Sequence, residues 1–118
     1  MKRIVLRSKL HKAVVTEANL EYEGSLALDS NLMKAADMIP FEQVYVYNVS
    51  NGERFSTYLI KAKEGSGTVG VYGAAAHKAG LGDKLIVVTY VLLDDEETEF
   101  FRPKILILDE RNRIKESR

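Results

Sequence analysis

The sequence predicts a mainly β protein, a small closed β-barrel with one or two short helices. Three observations support this prediction: the β-type apolar runs are short and numerous, turn signals separate them at close intervals, and few segments have a helical pattern. A closed barrel also removes the strand edges that so apolar a chain would otherwise expose. A β-sandwich is the alternative architecture.

The composition fits one domain that does not use thiol chemistry. The 118 residues are 46% hydrophobic, enough for one core, and 17 basic side chains balance 17 acidic ones without a basic run, so nothing indicates nucleic-acid binding. The absence of cysteine excludes disulfides, thiolate nucleophiles and cysteine-based metal sites. The apolar run at residues 4–6 is far too short for a signal peptide or a membrane span, so we expect a soluble, cytoplasmic protein.

The N-terminal part of the chain has the pattern of β-structure. Apolar residues at positions 4–6 and 13–15 flank a polar segment and predict two strands, or one long bent strand, over residues 2–18. Another apolar run covers residues 26–28.

The first helix is predicted over residues 31–38. Asp29 or Ser30 can accept hydrogen bonds from the free N–H groups at its start. Pro40 ends or follows the helix because it cannot continue the hydrogen-bond pattern.

A β-hairpin is predicted in the middle of the chain. Residues 43–49 and 53–63 have β-type patterns, and Asn51-Gly52 between them favours the positive φ angles of a tight turn.

Glycines divide the next part of the chain into short elements. Residues 64–67 form a flexible break before a strand over residues 68–72. Residues 73–80 are opened and closed by glycine and predict one or two helical turns. After a turn at Gly82-Asp83, residues 84–93 form the most hydrophobic strand, which we expect at the centre of the sheet.

The C-terminal part is more polar. Residues 94–97 are acidic and predict a solvated loop, although acidic clusters can also bind hard cations. Residues 105–108 predict one more strand. The charged tail at 110–118 predicts a frayed or weakly helical end.

Residue chemistry by itself gives weak candidates for a site. Ser25 could act with His11 or His77 and an aspartate, but no Gly-x-Ser-x-Gly motif surrounds it. Neither histidine has a partner at metal-ligand spacing, so we expect no metal site.

Four segments taken together are specific where each alone is not. In order and spacing they resemble the pyruvoyl-dependent aspartate 1-decarboxylases, over a region from Lys9 to about Pro103. The segments are Lys9-Leu10-His11, Tyr22-Glu23-Gly24-Ser25, the Asn-Gly-x-Arg-Phe-x-Thr-Tyr run at residues 51–58, and Gly73-Ala74-Ala75-Ala76-His77.

The resemblance implies a six-stranded double-psi β-barrel, one domain over residues 1–118, assembled as a homotetramer with active sites between subunits. It also implies that an inactive precursor cuts itself between Gly24 and Ser25, giving a β chain of residues 1–24 and an α chain of residues 25–118. In that reaction Ser25 Oγ attacks the Gly24 carbonyl and converts the amide into an ester, which a sharply turned backbone at glycine would favour.

By the same resemblance, β-elimination of the ester releases residues 1–24, and the dehydroalanine left at position 25 hydrolyses to a pyruvoyl group with loss of ammonia. This covalent cofactor, with no metal and no pyridoxal phosphate, would form a Schiff base with L-aspartate and accept the electron pair released with CO2. The product is β-alanine, a precursor of pantothenate.

Individual residues match family positions with known roles. Tyr58 matches the proton donor, and a phenol suits this role because it stays protonated at neutral pH. Thr57 matches a residue used in both self-cleavage and substrate contact, where its hydroxyl can donate to an oxyanion. Arg54 and Lys9 match the residues that hold the substrate carboxylate.

Further matches lie around these positions. Gly73, Ala74 and Ala75 match the substrate-binding loop, whose small side chains leave backbone N–H groups accessible. Tyr22 and His11 fall on positions near the site, and His11 is either a substrate-orienting residue or a hydrogen-bonded structural histidine.

Tyr72 departs from the family pattern, in which asparagine commonly precedes Gly-Ala-Ala-Ala. The bulky phenol affects the expected rate of self-cleavage and the shape of the pocket. It leaves two alternatives open: the same chemistry on another acidic amino acid such as L-glutamate, and a non-catalytic barrel subunit. Nothing in the sequence identifies a maturation partner.

Overall fold

Nine β-strands in one hydrogen-bonded series make up most of the structure, a computed structural model that describes all 118 residues. The strands are β1 (Lys2–Val14), β2 (Glu17–Asn19), β3 (Ser25–Asp29), β4 (Gln43–Asn48), β5 (Arg54–Ala62), β6 (Val69–Tyr72), β7 (Lys84–Asp94), β8 (Lys104–Leu108) and β9 (Ile114–Ser117). Two short helices, α1 (Ser30–Ala35) and α2 (Asp95–Thr98), and a 3₁₀ helix (Gly73–His77) complete the chain. The predicted mainly β class with short helices is confirmed. No helix is long or apolar enough to cross a membrane.

The strand order is β2-β6-β3-β5-β4-β7-β1-β8-β9, so most neighbours in the sheet are distant in the chain. Three pairs are parallel (β1 with β8, β2 with β6, β3 with β5) and the others are antiparallel. This order places β3 between β6 and β5, and β3 begins at Ser25. The fold therefore brings the regions around residues 58 and 72 to both sides of that serine.

One apolar core lies beneath the sheet. It contains 20 buried residues, contributed by the inward-facing positions of the strands and by α1. Every second residue of β4 points into it, and β3 is buried along its whole length. The most hydrophobic segment, β7, pairs with β1 on one side and β4 on the other, which confirms its predicted central place.

The predicted hairpin is present as β4 and β5. Gly52 in its loop has a φ of +79°, a value that glycine adopts without strain. Asn48 at the start of the loop donates from Nδ2 to the carbonyl of Lys78 at 3.0 Å and to Asp83 Oδ2 at 2.9 Å. The hairpin loop thus fixes the segment that follows the 3₁₀ helix.

Asp29 is the N-cap of α1, and it was one of the two residues predicted for that position. The helix ends earlier than the predicted residue 38 because Asp37 adopts a left-handed φ of +57°. Asp37 N then donates to Lys34 O at 3.1 Å and Met38 N to Met33 O at 2.8 Å, the two bonds of a Schellman motif. These bonds satisfy carbonyls that a longer helix would have used.

The Asp29 carboxylate also organises the break between β5 and β6. It accepts hydrogen bonds from the backbone N–H groups of Asn31 (2.9 Å), Gly65 (3.0 Å) and Gly67 (2.8 Å), and the residue is only 4% exposed. Burial alone would raise the pKa of Asp29, but the three donors outweigh it and the pKa is lowered. The Asp29 side chain therefore stabilises both the start of α1 and the loop between β5 and β6.

We expect Asp29→Ala to lower the free energy of unfolding by about 3 kcal/mol, because it leaves three N–H groups without their charged acceptor. Since the folded pKa of Asp29 is lowered, its contribution is present above the unfolded pKa of about 3.9 and is lost as pH falls through the folded value. Urea unfolding at several pH values measures this. The difference from wild type should shrink below about pH 4, whereas Asp95→Asn, at an exposed ion pair with Arg3, should change stability little. An unchanged difference at acidic pH would contradict the role given to the charge.

The prediction for the acidic segment was partly wrong. Residues 95–98 form the single turn α2 instead of a loop, and Glu97 Oε1 accepts from the backbone N–H of Asp94 at 2.9 Å. Asp94 and Asp95 pair with Lys2 (3.0 Å) and Arg3 (2.7 Å). Acidic residues suit the first turn of a helix, so the segment is an exposed, charge-paired turn.

The prediction of a frayed or weakly helical tail was wrong. Residues 114–117 form β9, antiparallel to β8. The turn before β9 is held by Asn112, a buried residue with a φ of +60°. Its side-chain amide exchanges hydrogen bonds with the backbone of Val14 (2.7 and 2.9 Å) and donates to Gly67 O at 2.8 Å. The sequence did not predict this turn, because the tail shows only alternating charges. The role of Asn112 depends on its contacts with distant segments of the chain.

Candidate functional site

Ser25 lies where an exposed turn enters the buried strand β3. The serine is 2% exposed, whereas the preceding Gly24 is exposed. Ser25 pairs with Tyr72 of β6, and the next residue, Leu26, pairs with Leu59 of β5. The Gly24–Ser25 bond is therefore accessible on one side and held by strand pairing on the other.

The glycine that this geometry requires is Gly73 rather than Gly24. Gly24 does not have a positive φ, and a Cβ there would meet only Tyr72 O at 3.6 Å and Ala74 N at 3.9 Å. Gly73 has a φ of +66°, and a Cβ there would lie 2.6 Å from Gly24 Cα and 2.7 Å from Gly24 N. The chain bends at Gly24, as expected, and Gly73 packs its backbone directly against this residue.

Two cavities adjoin the Gly24–Ser25 bond, and Tyr72 lines both. One, of about 370 Å³, is lined by Ser25, Tyr22, Glu23, Tyr58, Ile60 and Tyr72. The other, of about 250 Å³, is lined by Gly24, Phe55, Ser56, Thr57, Tyr72, Ala74, Ala75 and Lys78. No histidine lines either cavity, so the chain does not assemble a Ser-His-Asp triad at Ser25.

Thr57 and Tyr58 reach different cavities because consecutive strand residues point to opposite faces. Thr57 lines the cavity with Gly24, and Tyr58 lines the cavity with Ser25. The Tyr58 ring lies 6.3 Å from the ring of Phe41 and is 37% exposed. Thr57, predicted for self-cleavage, and Tyr58, predicted as the proton donor of the decarboxylation, thus both lie beside the Gly24–Ser25 bond.

The predicted binding loop is the 3₁₀ helix. Its first residue, Gly73, follows β6 directly, Ala75 is buried, and Ala74 is exposed. His77 ends the helix with its side chain exposed. The prediction of one short helical turn is confirmed, and its small side chains leave space beside Gly24.

Tyr72 makes contacts that an asparagine could not make. Its hydroxyl donates to Glu17 Oε2, and its ring packs edge-on against Tyr22 with centroids 5.2 Å apart. Burial, and then the hydrogen bond to Glu17, raise the pKa of Tyr72 to about 12. The phenol therefore remains a hydrogen-bond donor throughout the neutral range.

A second group of predicted residues lies on the outer face of the sheet. Arg54 stacks over the ring of Tyr47, with its guanidinium carbon 4.4 Å from the centroid. Tyr47 Oη lies 2.8 Å from Tyr90 Oη, and the bond to Tyr47 and then burial raise the pKa of Tyr90 to about 12. Arg54 has no carboxylate partner among the ion pairs of the chain. Its N–H groups are therefore oriented by stacking and free to bind an anion.

Lys9 and His11 share this outer face. Strand pairing places one residue from each of four neighbouring strands in a row, in the order Arg54, Tyr47, Ile86, His11. The backbones of Arg54 and His11 are therefore about 14 Å apart. His11 Nδ1 is buried without a hydrogen-bond partner. Burial, and then Lys9 and Lys12, lower the pKa of His11. The imidazole is therefore neutral at neutral pH, and one of its nitrogens is not satisfied within the chain.

Comparison with known proteins identifies the family. A family model described as aspartate decarboxylase matches residues 1–115. The aspartate 1-decarboxylases of Cupriavidus necator and Ralstonia nicotianae are 53% and 54% identical over 116 residues, which cover 98% of this chain and 97% of each relative. That of Thermoanaerobacter pseudethanolicus is 47% identical over 113 residues, or 96% of this chain and 97% of the relative. The chain belongs to the aspartate decarboxylase family.

Within this aspartate decarboxylase family member, the predicted residues form two separate groups. The first surrounds the Gly24–Ser25 bond, and the second is the outer-face group of Lys9, His11 and Arg54. Neither cavity beside Ser25 is lined by a member of the second group. No cluster of three or more histidine, aspartate or glutamate side chains is placed to hold a metal ion.

Sequence reasoning missed several residues of these groups, among them Phe55, Ser56 and Lys78 of the cavity beside Gly24. Tyr47 could have been found, because the predicted hairpin places it opposite Arg54. Ile60 could also have been found, since it lies two residues after Tyr58 on the same strand face. Glu17 had no local signal, because its contact with Tyr72 depends on the pairing of β2 with β6.

Proposed function

We propose that this member of the aspartate decarboxylase family cleaves itself between Gly24 and Ser25 and decarboxylates L-aspartate to β-alanine and CO2. The observation that carries the proposal is the placement of Thr57 and Tyr58 in the two cavities that adjoin this bond. The substrate is inferred from the names of the relatives. The residues for both reactions are inferred from the lining of the two cavities.

The surroundings of Ser25 fit a pyruvoyl group formed from its own backbone. The position is at the start of a buried strand, so a new N-terminus there would remain fixed by the pairing of Leu26 with Leu59 and Val71. The adjoining cavity of about 370 Å³ has room for a small amino acid. When present, the pyruvoyl group supplies a carbonyl that binds the substrate amine and accepts the electron pair released with CO2.

Thr57 is the hydrogen-bond donor in the cleavage step. Ser25 Oγ attacks the carbonyl carbon of Gly24, and negative charge develops on the carbonyl oxygen. Thr57 lines the cavity of Gly24, where its hydroxyl can donate to that oxygen. Gly73 holds the Gly24 peptide in place by direct backbone contact, which reduces the motion needed to reach the attacking geometry.

Tyr58 is the proton donor of the decarboxylation. Its phenol lines the same cavity as Ser25 and is partly open to solvent, so it can deliver a proton to substrate bound there and recover one from water. The ring of Phe41 flanks it and limits its movement.

The carboxylate-binding residues come from a second subunit. Lys9 and Arg54 have no ion-pair partner in their own chain and do not line the cavities of Ser25. Their sheet face also exposes large apolar side chains, among them Ile4 (75%), Leu92 (57%) and Tyr90 (39%). A homotetramer would bury this apolar face and bring Lys9 and Arg54 of one subunit to the Ser25 cavity of another.

Intact-mass measurement of the purified protein under denaturing conditions tests the proposal. We expect two chains, residues 1–24 and residues 25–118, because the cleavage is self-catalysed. The larger chain should be lighter than a serine-terminated one by one ammonia, and L-aspartate should yield β-alanine. A single chain of 118 residues after prolonged warming would contradict the proposal.

A further inference from the structure

Tyr72 connects two parts of the chain that the proposed cleavage would separate. Its partners Glu17 and Tyr22 lie in residues 1–24, whereas Tyr72 lies in residues 25–118. After cleavage, these contacts would join two different polypeptides.

The geometry of β6 directs the Tyr72 side chain to Glu17. Parallel pairing places Tyr72 opposite Asn19 and Gly70 opposite Glu17. The Tyr72 ring therefore leans back over Gly70 to reach a partner two positions earlier. A Cβ at residue 70 would lie 2.6 Å from Tyr72 Oη, so the glycine provides the space for this orientation.

Few other contacts hold the segment between β2 and the cleavage site. None of the backbone hydrogen bonds outside the helices and strands involves residues 20–24. The one side-chain bond there is local, from Glu21 N to Asn19 Oδ1 at 2.9 Å. The packing of Tyr22 on Tyr72 and the contact of Gly24 with Gly73 are thus the main restraints on this segment.

The same segment forms a wall of the site. Tyr22 and Glu23 line the cavity of Ser25 together with Tyr72. Glu17, Tyr22 and Tyr72 also line a neighbouring cavity of about 280 Å³. If the segment moved away after cleavage, the cavity of Ser25 would lose one side.

We propose that Tyr72 is a positioning residue which, through Glu17 and Tyr22, holds the C-terminal end of the cleaved 1–24 chain in place as a wall of the active site. This inference rests on the proposed self-cleavage. The two contacts act together: the hydrogen bond fixes the direction of the Tyr72 ring, and the ring fixes Tyr22 edge-on. The raised pKa of Tyr72, caused first by burial and then by Glu17, keeps its hydroxyl protonated as the donor.

Backbone ¹⁵N relaxation of the cleaved protein tests the inference, because it reports motion at amides that make no hydrogen bond. Tyr72→Phe retains the ring and removes only the donor to Glu17. We expect the backbone order parameters of residues 20–23 to fall from about 0.85, the value of rigid backbone, to below about 0.6. The KM for L-aspartate should rise several-fold with a smaller change in kcat. Glu17→Gln, which keeps an acceptor oxygen, should lower the order parameters less than Glu17→Ala.

Tyr45→Phe is the matched control, because the Tyr45 ring packs on Tyr90 and its hydroxyl takes part in no hydrogen bond of the chain. It should leave the order parameters of residues 20–23 unchanged. Equal order parameters in the cleaved wild type and the cleaved Tyr72→Phe variant would overturn the inference. Absence of cleavage in the wild type would instead contradict the proposed function. In the uncleaved Ser25→Ala background, Tyr72→Phe should still lower these order parameters, but by about half as much, because the intact peptide bond anchors the segment. No change in that background would also overturn the inference.

Discussion

Ser25→Ala is expected to abolish both cleavage and decarboxylation. The substitution removes only Oγ, the atom proposed to attack the Gly24 carbonyl, and alanine fits the buried start of β3. Mass spectrometry should show one chain of 118 residues, and β-alanine formation should fall to the background rate. The fold should persist, because the pairing of β3 with β5 and β6 uses backbone atoms.

Ser30→Ala is a suitable control for this experiment. Ser30 begins α1, five residues further along the chain, and lines neither cavity of the site. It should cleave and turn over as the wild type does. A Ser25→Ala protein that still yields residues 1–24, or that still decarboxylates L-aspartate, would show that the serine is not the origin of the cofactor.

Tyr58→Phe is expected to separate cleavage from decarboxylation. Thr57 and Gly73, which act on the Gly24 side, are unchanged, so the chain should still be cut. Loss of the proton donor should lower kcat by about 10²–10⁴-fold, while the ring keeps its place beside Phe41 and KM changes little. Steady-state kinetics on the fully cleaved variant measures this. A kcat within a few-fold of wild type would contradict the role of the phenol.

The same variant tests whether sites are shared between subunits. Arg54→Ala alone should raise KM strongly if, as proposed, the guanidinium binds the substrate carboxylate. When Tyr58→Phe and Arg54→Ala chains are coexpressed, random assembly should produce wild-type sites at about a quarter of the interfaces. Activity should then exceed that of either variant alone. If each site came from one chain only, coexpression would restore nothing.

Much of the local structure was predictable from the sequence. Asn51-Gly52 specified the hairpin, Asp29 specified the start of α1, and the apolar run at 84–93 specified a central strand, because each signal acts through nearest neighbours or through burial alone. The ends of the helices and strands were less predictable. The left-handed turn at Asp37 accepts hydrogen bonds from Arg7, and the strand at 114–117 pairs with β8, so both involve contacts that no local pattern shows.

The candidate site likewise has some features that local sequence signals predict and others that depend on distant contacts. The sequence identified Ser25 and its partners only as separate segments that match a family, and it suggested a sharp turn at Gly24. The structure has a bend at Gly24 and adds the close packing of the Gly73 backbone on it, a contact that no local pattern encodes. It likewise joins Glu17 to Tyr72, whose bond arises only because β2 and β6 pair in parallel.

By itself the sequence determined the β class, the hairpin, the family resemblance and the identity of the residues that carry the proposed chemistry. Tertiary structure alone decided how these residues are grouped: Thr57 and Tyr58 line the cavities beside the Gly24–Ser25 bond, whereas Lys9, His11 and Arg54 line neither of them. The reason is physical. Residue type and spacing act within a few positions of the chain, whereas strand order and register determine which distant side chains share a cavity.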